Sequence, residues 1–470
     1  MFLKTTLGKT DYPLYKGKDK IKLRYDLNKK FNVNVLNMGD VPMGEELMLN
    51  LYAREVGANP YTLKKSGGTP RLEGIKLKDC IPFWCKIETP EFNKFLDNIK
   101  HITIKGEKGE FQQSVLFHNY KFDFGLGGSH GSAKPKVWDT NDEWIIVDYD
   151  IGSLYPSISK SLGLYPQHLG PEFNEQYVKF IDDRLAEKHK PKNQRDNVLI
   201  EGYKLILNGT YGKSNESKSF LYDPLYTFRT TIAGQIFICM WAERWVKACP
   251  RLKFIQTNTD GQTLYVPRVD LDKIRTVNDQ LTKETGLTIE ETIYSKMCVR
   301  DVNNYIGVYE DSTPDHEHIK LKGDYEVYKE YHKDPSMQVV PLAVKNYFVY
   351  GIPIRETIMN DTNIFDFCLR LKVNSSADAM FRIVRNSKVV EEKLDRTTRY
   401  YISTNGGTLY KQFKDGRITG VNVGFSATIF NKYVEKSIQD YKINYQFYIK
   451  AAQKLIDGIV NNQLNLFGND

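Results

Sequence analysis

The chain has 470 residues, more than one hydrophobic core usually serves, so two or more domains are expected. Its composition, 41% hydrophobic and 26% charged with 30 tyrosines, is that of a globular protein and excludes a disordered or fibrous one. The net charge of +8 is uneven: residues 1–30 carry nine Lys or Arg against three Asp, which suits an anionic partner.

The six cysteines, Cys80, Cys85, Cys239, Cys249, Cys298 and Cys368, offer one close pair and no second pair or histidine at finger spacing. They read as isolated thiols in a reducing compartment, not as a structural zinc site. The start of the chain lacks a signal-peptide core, and no apolar run reaches the roughly 18 residues of a membrane helix. A soluble, cytoplasmic protein without membrane contact is expected. There is no internal repeat or low-complexity linker.

In chain order, the first informative stretch is WIIVDYDIGSLYPSI, residues 144–158. It begins as a buried strand and then places Asp148 and Asp150 at alternate positions, on one face. Two carboxylates on one face repel unless a cation or solvent relieves them, so the pair fits either a solvated strand end or a metal site. Pro156 and Ser157 then signal a helix start. An acid at a strand end facing such a turn can hold a metal and a phosphate together.

Residues 173–190 and 196–212 read as helices joined by a short Pro-containing link, which folds them into an antiparallel hairpin. Arg184 and Lys188 repeat at i and i+4, a like-charged spacing that a helix gains nothing from. On the second helix, capped by Asp196, the polar residues Lys204, Asn208 and Tyr211 share one stripe of an otherwise apolar sequence. Arg184, Lys188, Lys204 and Asn208 together suit a polyphosphate. Further on, QTNTDGQT (256–263) lies between two apolar runs and reads as a hairpin tip. Asp260 within it fits a turn residue or a metal ligand.

Taken together, these pieces resemble the family B DNA polymerases of bacteriophage type. DIGSLYPSI (150–158) is similar to the first palm motif, KLILNGTYG (204–212) to the fingers motif with Gly209 in a serine position, and NTD (258–260) to the second palm motif. FGLGGSHG (124–131), with Gly127 and Gly128, resembles the segment joining exonuclease and polymerase regions, and DRTTRYYIS (395–403) a thumb segment carrying Arg396 and Arg399. The resemblance spans about 115–435 and implies an α+β right hand. An antiparallel palm would use 126–167 and 216–350, fingers 168–215 and a thumb 351–464, with a tail at 463–470. Residues 1–125 would be an N-terminal region, the remnant of an exonuclease domain continued into a buttress.

The resemblance implies template-directed DNA synthesis from a primer with dNTPs. Asp150 and Asp260 would be the catalytic acids, holding two Mg2+ ions, with Mn2+ as an alternative, aided by the Ile151 carbonyl. Ser153, Leu154 and Tyr155, with Arg184, Lys188, Lys204 and Asn208, would bind the nucleotide, Tyr155 also disfavouring a 2′-hydroxyl. Tyr211, Gly127, Gly128, Tyr305, Lys320, Lys322, Arg396 and Arg399 would contact template or primer. The departures are Asn258 for an acid, Asn303 for a primer-strand lysine, and the lack of upstream exonuclease acids. The D-x-E strings at 315–317 and 324–326 lie downstream, and NYKFD (119–123) has no partner acids. A split enzyme with a separate 3′–5′ exonuclease chain is therefore expected, and a non-catalytic DNA-binding scaffold is the alternative. The intervals Asp150–Lys204 and Lys204–Asp260, 54 and 56 residues, leave little room for protein-priming insertions. QLNLF (463–467) resembles a sliding-clamp peptide through Gln463, Leu464, Leu466 and Phe467, and equally fits a cover for the thumb core.

Overall fold

The computed structural model describes residues 20–66, 74–105, 111–313, 315–327 and 336–464. They form helices and antiparallel sheets in an α+β arrangement. Their contacts divide them into two units, with boundaries at Ala133/Lys134, Asp139/Thr140 and Tyr294/Ser295. Among the described residues no helix is long and apolar enough to cross a membrane. All six cysteines are free, and burial pushes Cys80, Cys298 and Cys368 up to about 12.

The strands run in chain order as β1 (Ile75–Lys76), β2 (Thr103–Ile104), β3 (Gln112–Phe117), β4 (Tyr120–Gly125), β5 (Gly128–Ser132), β6 (Lys136–Asp139), β7 (Trp144–Ile151), β8 (Lys253–Asn258), β9 (Gly261–Pro267) and β10 (Ile289–Asp301). In the first unit β7 is central, between β9 and the residues of β10 up to Tyr294, and β8, β5, β4 and β3 follow beyond β9. Ile145–Tyr149 are all buried, as expected of a continuous apolar run covered on both faces.

Helices α1 (Lys20–Phe31), α2 (Asp40–Glu55), α3 (Pro60–Ser66), α4 (Pro90–Lys100), α5 (Leu154–Leu162), α6 (Pro171–His189), α7 (Asn197–Lys213), α8 (Pro224–Ala248) and α9 (Leu271–Thr285) complete this unit. The longest, α8, is buried along most of its length because apolar and small residues occupy every face. Asp223 caps it by accepting from Tyr226 N at 3.0 Å, and Pro224 takes the first helical position. Its buried Glu243 is satisfied by Glu88 N, Thr89 N and Thr89 Oγ1 at 2.8–3.1 Å, which ties the start of α4 to α8. A separate core joins α1 and α2 to α6 and α7, through Leu27, Phe31, Leu47, Phe173, Tyr203 and Ile206.

In the second unit β6 pairs with residues 296–299 of β10, and β11 (Asn304–Tyr309) pairs with β12 (Ile319–Leu321). Helices α10 (Val339–Tyr350), α11 (Ile354–Asn360) and α12 (Tyr445–Leu464) share one core with two small sheets. These are β13 (Leu369–Lys372), β16 (Thr397–Ser403) and β19 (Ser426–Ile429), and β14 (Ala377–Arg385), β15 (Lys388–Leu394), β17 (Thr408–Phe413) and β18 (Ile418–Val421). Gln463 and Leu464 are the last residues of α12, whereas Leu466 and Phe467 lie outside the described residues.

The segment between α11 and β13 carries Asp361 and Asp366. Asp366 is only 4% exposed, and Asp361 Oδ2 and Asp366 Oδ1 are buried without a hydrogen-bond donor. Burial, and then the neighbouring Asp361 charge, push Asp366 up to about 7. The folded state thus keeps a proton that the unfolded chain releases near pH 4, so this group's stabilising contribution falls as pH rises from about 4 to about 7. Asp366→Asn is expected to raise the unfolding temperature at pH 8 and leave it nearly unchanged at pH 4.5. Thermal melts at both pH values check this, and an equal shift at both would contradict it.

Candidate active site

Strands β8 and β9 are joined by the two-residue loop Thr259-Asp260, closed by the Asn258–Gly261 pair. Neither loop residue has positive φ, so this hairpin does not use the left-handed freedom that Asn, Asp or Gly often supplies in tight turns. Gly261 serves another purpose. It pairs with Asp150, and a Cβ there would lie 2.0 Å from Asp150 Oδ1 and 2.6 Å from Tyr149 O. Bare backbone leaves room for the carboxylate. One rung further, Ile151 N donates to Asp260 O at 2.7 Å. Strand pairing therefore brings Asp150 and Asp260 to adjacent rungs. Asp148, two residues earlier, is buried and accepts from Thr263 Oγ1 at 2.6 Å, so it belongs to the sheet interior.

Beyond β7 the chain turns at Ser153, whose φ of 54° and ψ of 58° are left-handed. Its hydroxyl does not cap α5 but accepts from Arg184 Nη1 at 3.0 Å. The first N–H groups of a helix lack partners within it and form its positive end. Ser153, Leu154 and Tyr155 at this end line one wall of a cleft of about 450 Å3. Arg184, Lys204 and Asn208 line a second wall, and Asn258, Thr259 and Asp260 a third. Tyr155 and Tyr211 also line it, their rings stacked with centroids 3.6 Å apart. Tyr155 is pushed up by burial first and then by Tyr211 and Asp260, so it stays a neutral phenol.

The cations come from the α6–α7 hairpin. Asp196 caps α7 by accepting from Leu199 N at 2.9 Å, while Glu187 accepts from Asp196 N at 2.7 Å and fastens the link. Lys179, Lys190 and Lys213 each pair with a carboxylate, Asp183, Glu187 and Glu216 respectively. Lys204 is exposed and pairs with no carboxylate among the described residues. Arg184 is half-buried; burial lowers its pKa while Glu201 and Glu290 oppose that shift, and its Nε is buried without an acceptor. A cation left open in this way, next to a helix start, favours an anion in the cleft.

The structure thus brings together Ile151, Ser153, Leu154, Tyr155, Arg184, Lys204, Asn208, Tyr211 and Asp260. Asp150 adjoins them through Gly261 without lining the cleft, and Lys188, one turn beyond Arg184, does not line it. Gly128 packs against the hairpin loop, since a Cβ there would meet Thr259 Oγ1 at 2.5 Å, and Tyr155 donates to Gly127 O at 3.3 Å. Thr259 and Gly261 escaped the sequence reading; the Asp-Gly pair was the available signal, and it pointed to a turn. In the second unit, Tyr305, Lys320 and Lys322 come together: Lys320 Nζ lies 5.9 Å from the Tyr305 ring centre, and Lys322 N donates to Tyr305 O. Arg396 is exposed, and Arg399 pairs with Arg370 across β13 and β16. Asp123 is held by Lys121 and Ser114 at 2.8 and 2.5 Å.

No protein-family model and no curated protein matches the chain. Among solved structures it is similar to the family B DNA polymerase from the hyperthermophilic archaeon Pyrobaculum calidifontis, with 13% identity and a TM-score of 0.48. The match covers 93% of this chain and 53% of that one, so the chain spans about half the length of that polymerase. A likeness this distant leaves the functional reading to the residues of the cleft.

The fit at Gly261 gives a direct test. Gly261→Ala is expected to cost about 2 kcal/mol through overpacking. Gly127→Ala, where a Cβ meets nothing within 4 Å, is expected to change stability by less than about 0.5 kcal/mol. Urea unfolding of the two variants beside wild type measures both.

Proposed function

We propose that this chain is a DNA-directed DNA polymerase of the family B type, extending a primer 3′-hydroxyl with dNTPs. The observation that carries this reading is the cleft itself. A carboxylate on a hairpin tip shares the cleft with a helix start, a lysine that pairs with no carboxylate among the described residues, an arginine and an amide. Such a cleft suits a substrate that is polyanionic and metal-bound.

Asp150 and Asp260 offer hard oxygen donors on adjacent rungs, and Ile151, whose N–H donates to Asp260 O, lies next to Asp150 and lines the cleft. Among the described residues no group of three or more His, Cys, Asp or Glu gathers to hold a metal. Two carboxylates nevertheless fit Mg2+, which keeps few protein ligands and completes its shell with water and phosphate oxygens. Bound there, Mg2+ would supply charge neutralisation and a more acidic primer hydroxyl.

The chain's own residues account for the rest. Lys204, Arg184 and Asn208 grip the triphosphate, with the amides of Ser153 and Leu154 at the α5 start, and fix the α-phosphate in line with the primer. The 3′-oxygen loses its proton and bonds to the α-phosphorus, the bond to the bridging oxygen breaks, and pyrophosphate leaves. The stacked pair Tyr155 and Tyr211 forms a flat apolar surface for the sugar and base and crowds a 2′-hydroxyl. Gly127, Gly128, Tyr305, Lys320, Lys322, Arg396 and Arg399 contact primer and template. A separate 3′–5′ exonuclease chain and a bacterial sliding clamp, docked through residues 463–467, are the partners that this reading adds.

Primer extension tests the assignment. Asp150→Ala and Asp260→Ala are each expected to lower kcat about 1,000-fold or more. Lys204→Ala is expected to raise the dNTP KM about 10- to 100-fold. A wild type that binds primer-template without extending it would favour a non-catalytic scaffold, the reading that Asn258 in the cleft wall keeps in play. Purified wild type is also expected to show no chelator-sensitive 3′–5′ excision, measured on a labelled primer.

A further inference from the structure

Lys204 and Asn208 alternate along α7 with residues that face away from the cleft. On that other side lies α2. A Cβ on Gly44 would fall 1.9 Å from Leu205 O, and one on Gly209 would fall 2.9 Å from Gly44 Cα. At Gly44 and Gly209 the two helices therefore meet backbone to backbone. Gly209, which departs from serine in the fingers-like motif, is explained by this crossing. Polar contacts hold α7 near both ends as well. Lys30 pairs with the capping Asp196 at 2.6 Å, and Glu45 lies 3.6 Å from Lys213. No residue of 20–66 lines the cleft.

We infer that residues 20–66 set the position of Lys204 and Asn208, so that Gly44 is a positioning residue for triphosphate binding. The inference rests on reading the cleft as a triphosphate site. A helix held by side chains can settle against its neighbour by changing rotamers, whereas backbone contact transmits displacement directly. Adding a methyl at Gly44 must part α2 from α7, and a displacement near 1 Å at a positioning group can cost about 100-fold.

Binding of MgdATP to the full chain with primer-template is the measurement, on wild type, Gly44→Ala, Lys204→Ala and the double variant. Gly44→Ala is expected to weaken MgdATP binding at least about 10-fold while primer-template affinity stays within about 2-fold. The double variant should be weakened by less than the sum of the two single effects, because displacing a lysine already removed costs nothing while Asn208 is still displaced. Full additivity, or unchanged MgdATP affinity in Gly44→Ala beside a weakened Lys204→Ala, overturns the inference. Unchanged affinity in Lys204→Ala refutes the triphosphate reading itself. Hydrogen exchange on wild type covers the case of a Gly44→Ala chain that does not fold. MgdATP should slow exchange in residues 40–55 together with 197–213, and protection confined to 197–213 overturns the inference.

Discussion

The rung where Ile151 donates to Asp260, beside Asp150 opposite Gly261, is the constraint on which the candidate site depends. Strand register alone brings these two carboxylate-bearing residues to neighbouring positions. What holds them is the sheet behind. Ile145, Ile146 and Val147 are buried at 2% exposure or less, and their strand pairs on both sides, so moving Asp150 means disturbing the core. The two residues are therefore held in place by a rigid frame.

The opposite wall is built on different physics. Its positive character comes from a helix start and from cations carried on a hairpin that packs through its own separate core. Three of the six lysines of that hairpin pair with nearby acids, whereas Lys204 pairs with no carboxylate among the described residues. Arg184 is tied to Ser153 at the helix start, so the two sources of positive potential are mechanically joined. An anion in the cleft meets them as one surface.

What was legible in the sequence was local. The buried run before Asp150, the Asp196 cap, the polar stripe of Lys204, Asn208 and Tyr211, and the hairpin at 256–263 each follow from spacing within one segment. What was not legible depends on contacts between segments far apart. Nothing near Gly44 announces that it meets Gly209, and α1 and α2 carry no motif that points to α7. Gly261 was visible but ambiguous, because a glycine after an aspartate signals a turn, and only the register of β7 with β9 reveals that it makes space for a carboxylate. Lys188 shows the reverse case. Its spacing from Arg184 is right, yet it does not reach the cleft wall that Arg184 forms.

Asn258 bears on the same balance of charge. It lies opposite Gly261 at the closing pair of the hairpin and lines the cleft beside Asp260. An acid there would add a third negative charge beside Asp150 and Asp260, deepening the attraction for a divalent cation and raising the cost of the metal-free state. The amide removes that third charge while keeping a polar group able to accept or donate a hydrogen bond. On the proposed reading, cation affinity would then rest on Asp150 and Asp260 with the incoming phosphates. On that reading, such a site would bind its metal most tightly with the triphosphate present, coupling cation and nucleotide occupancy through charge.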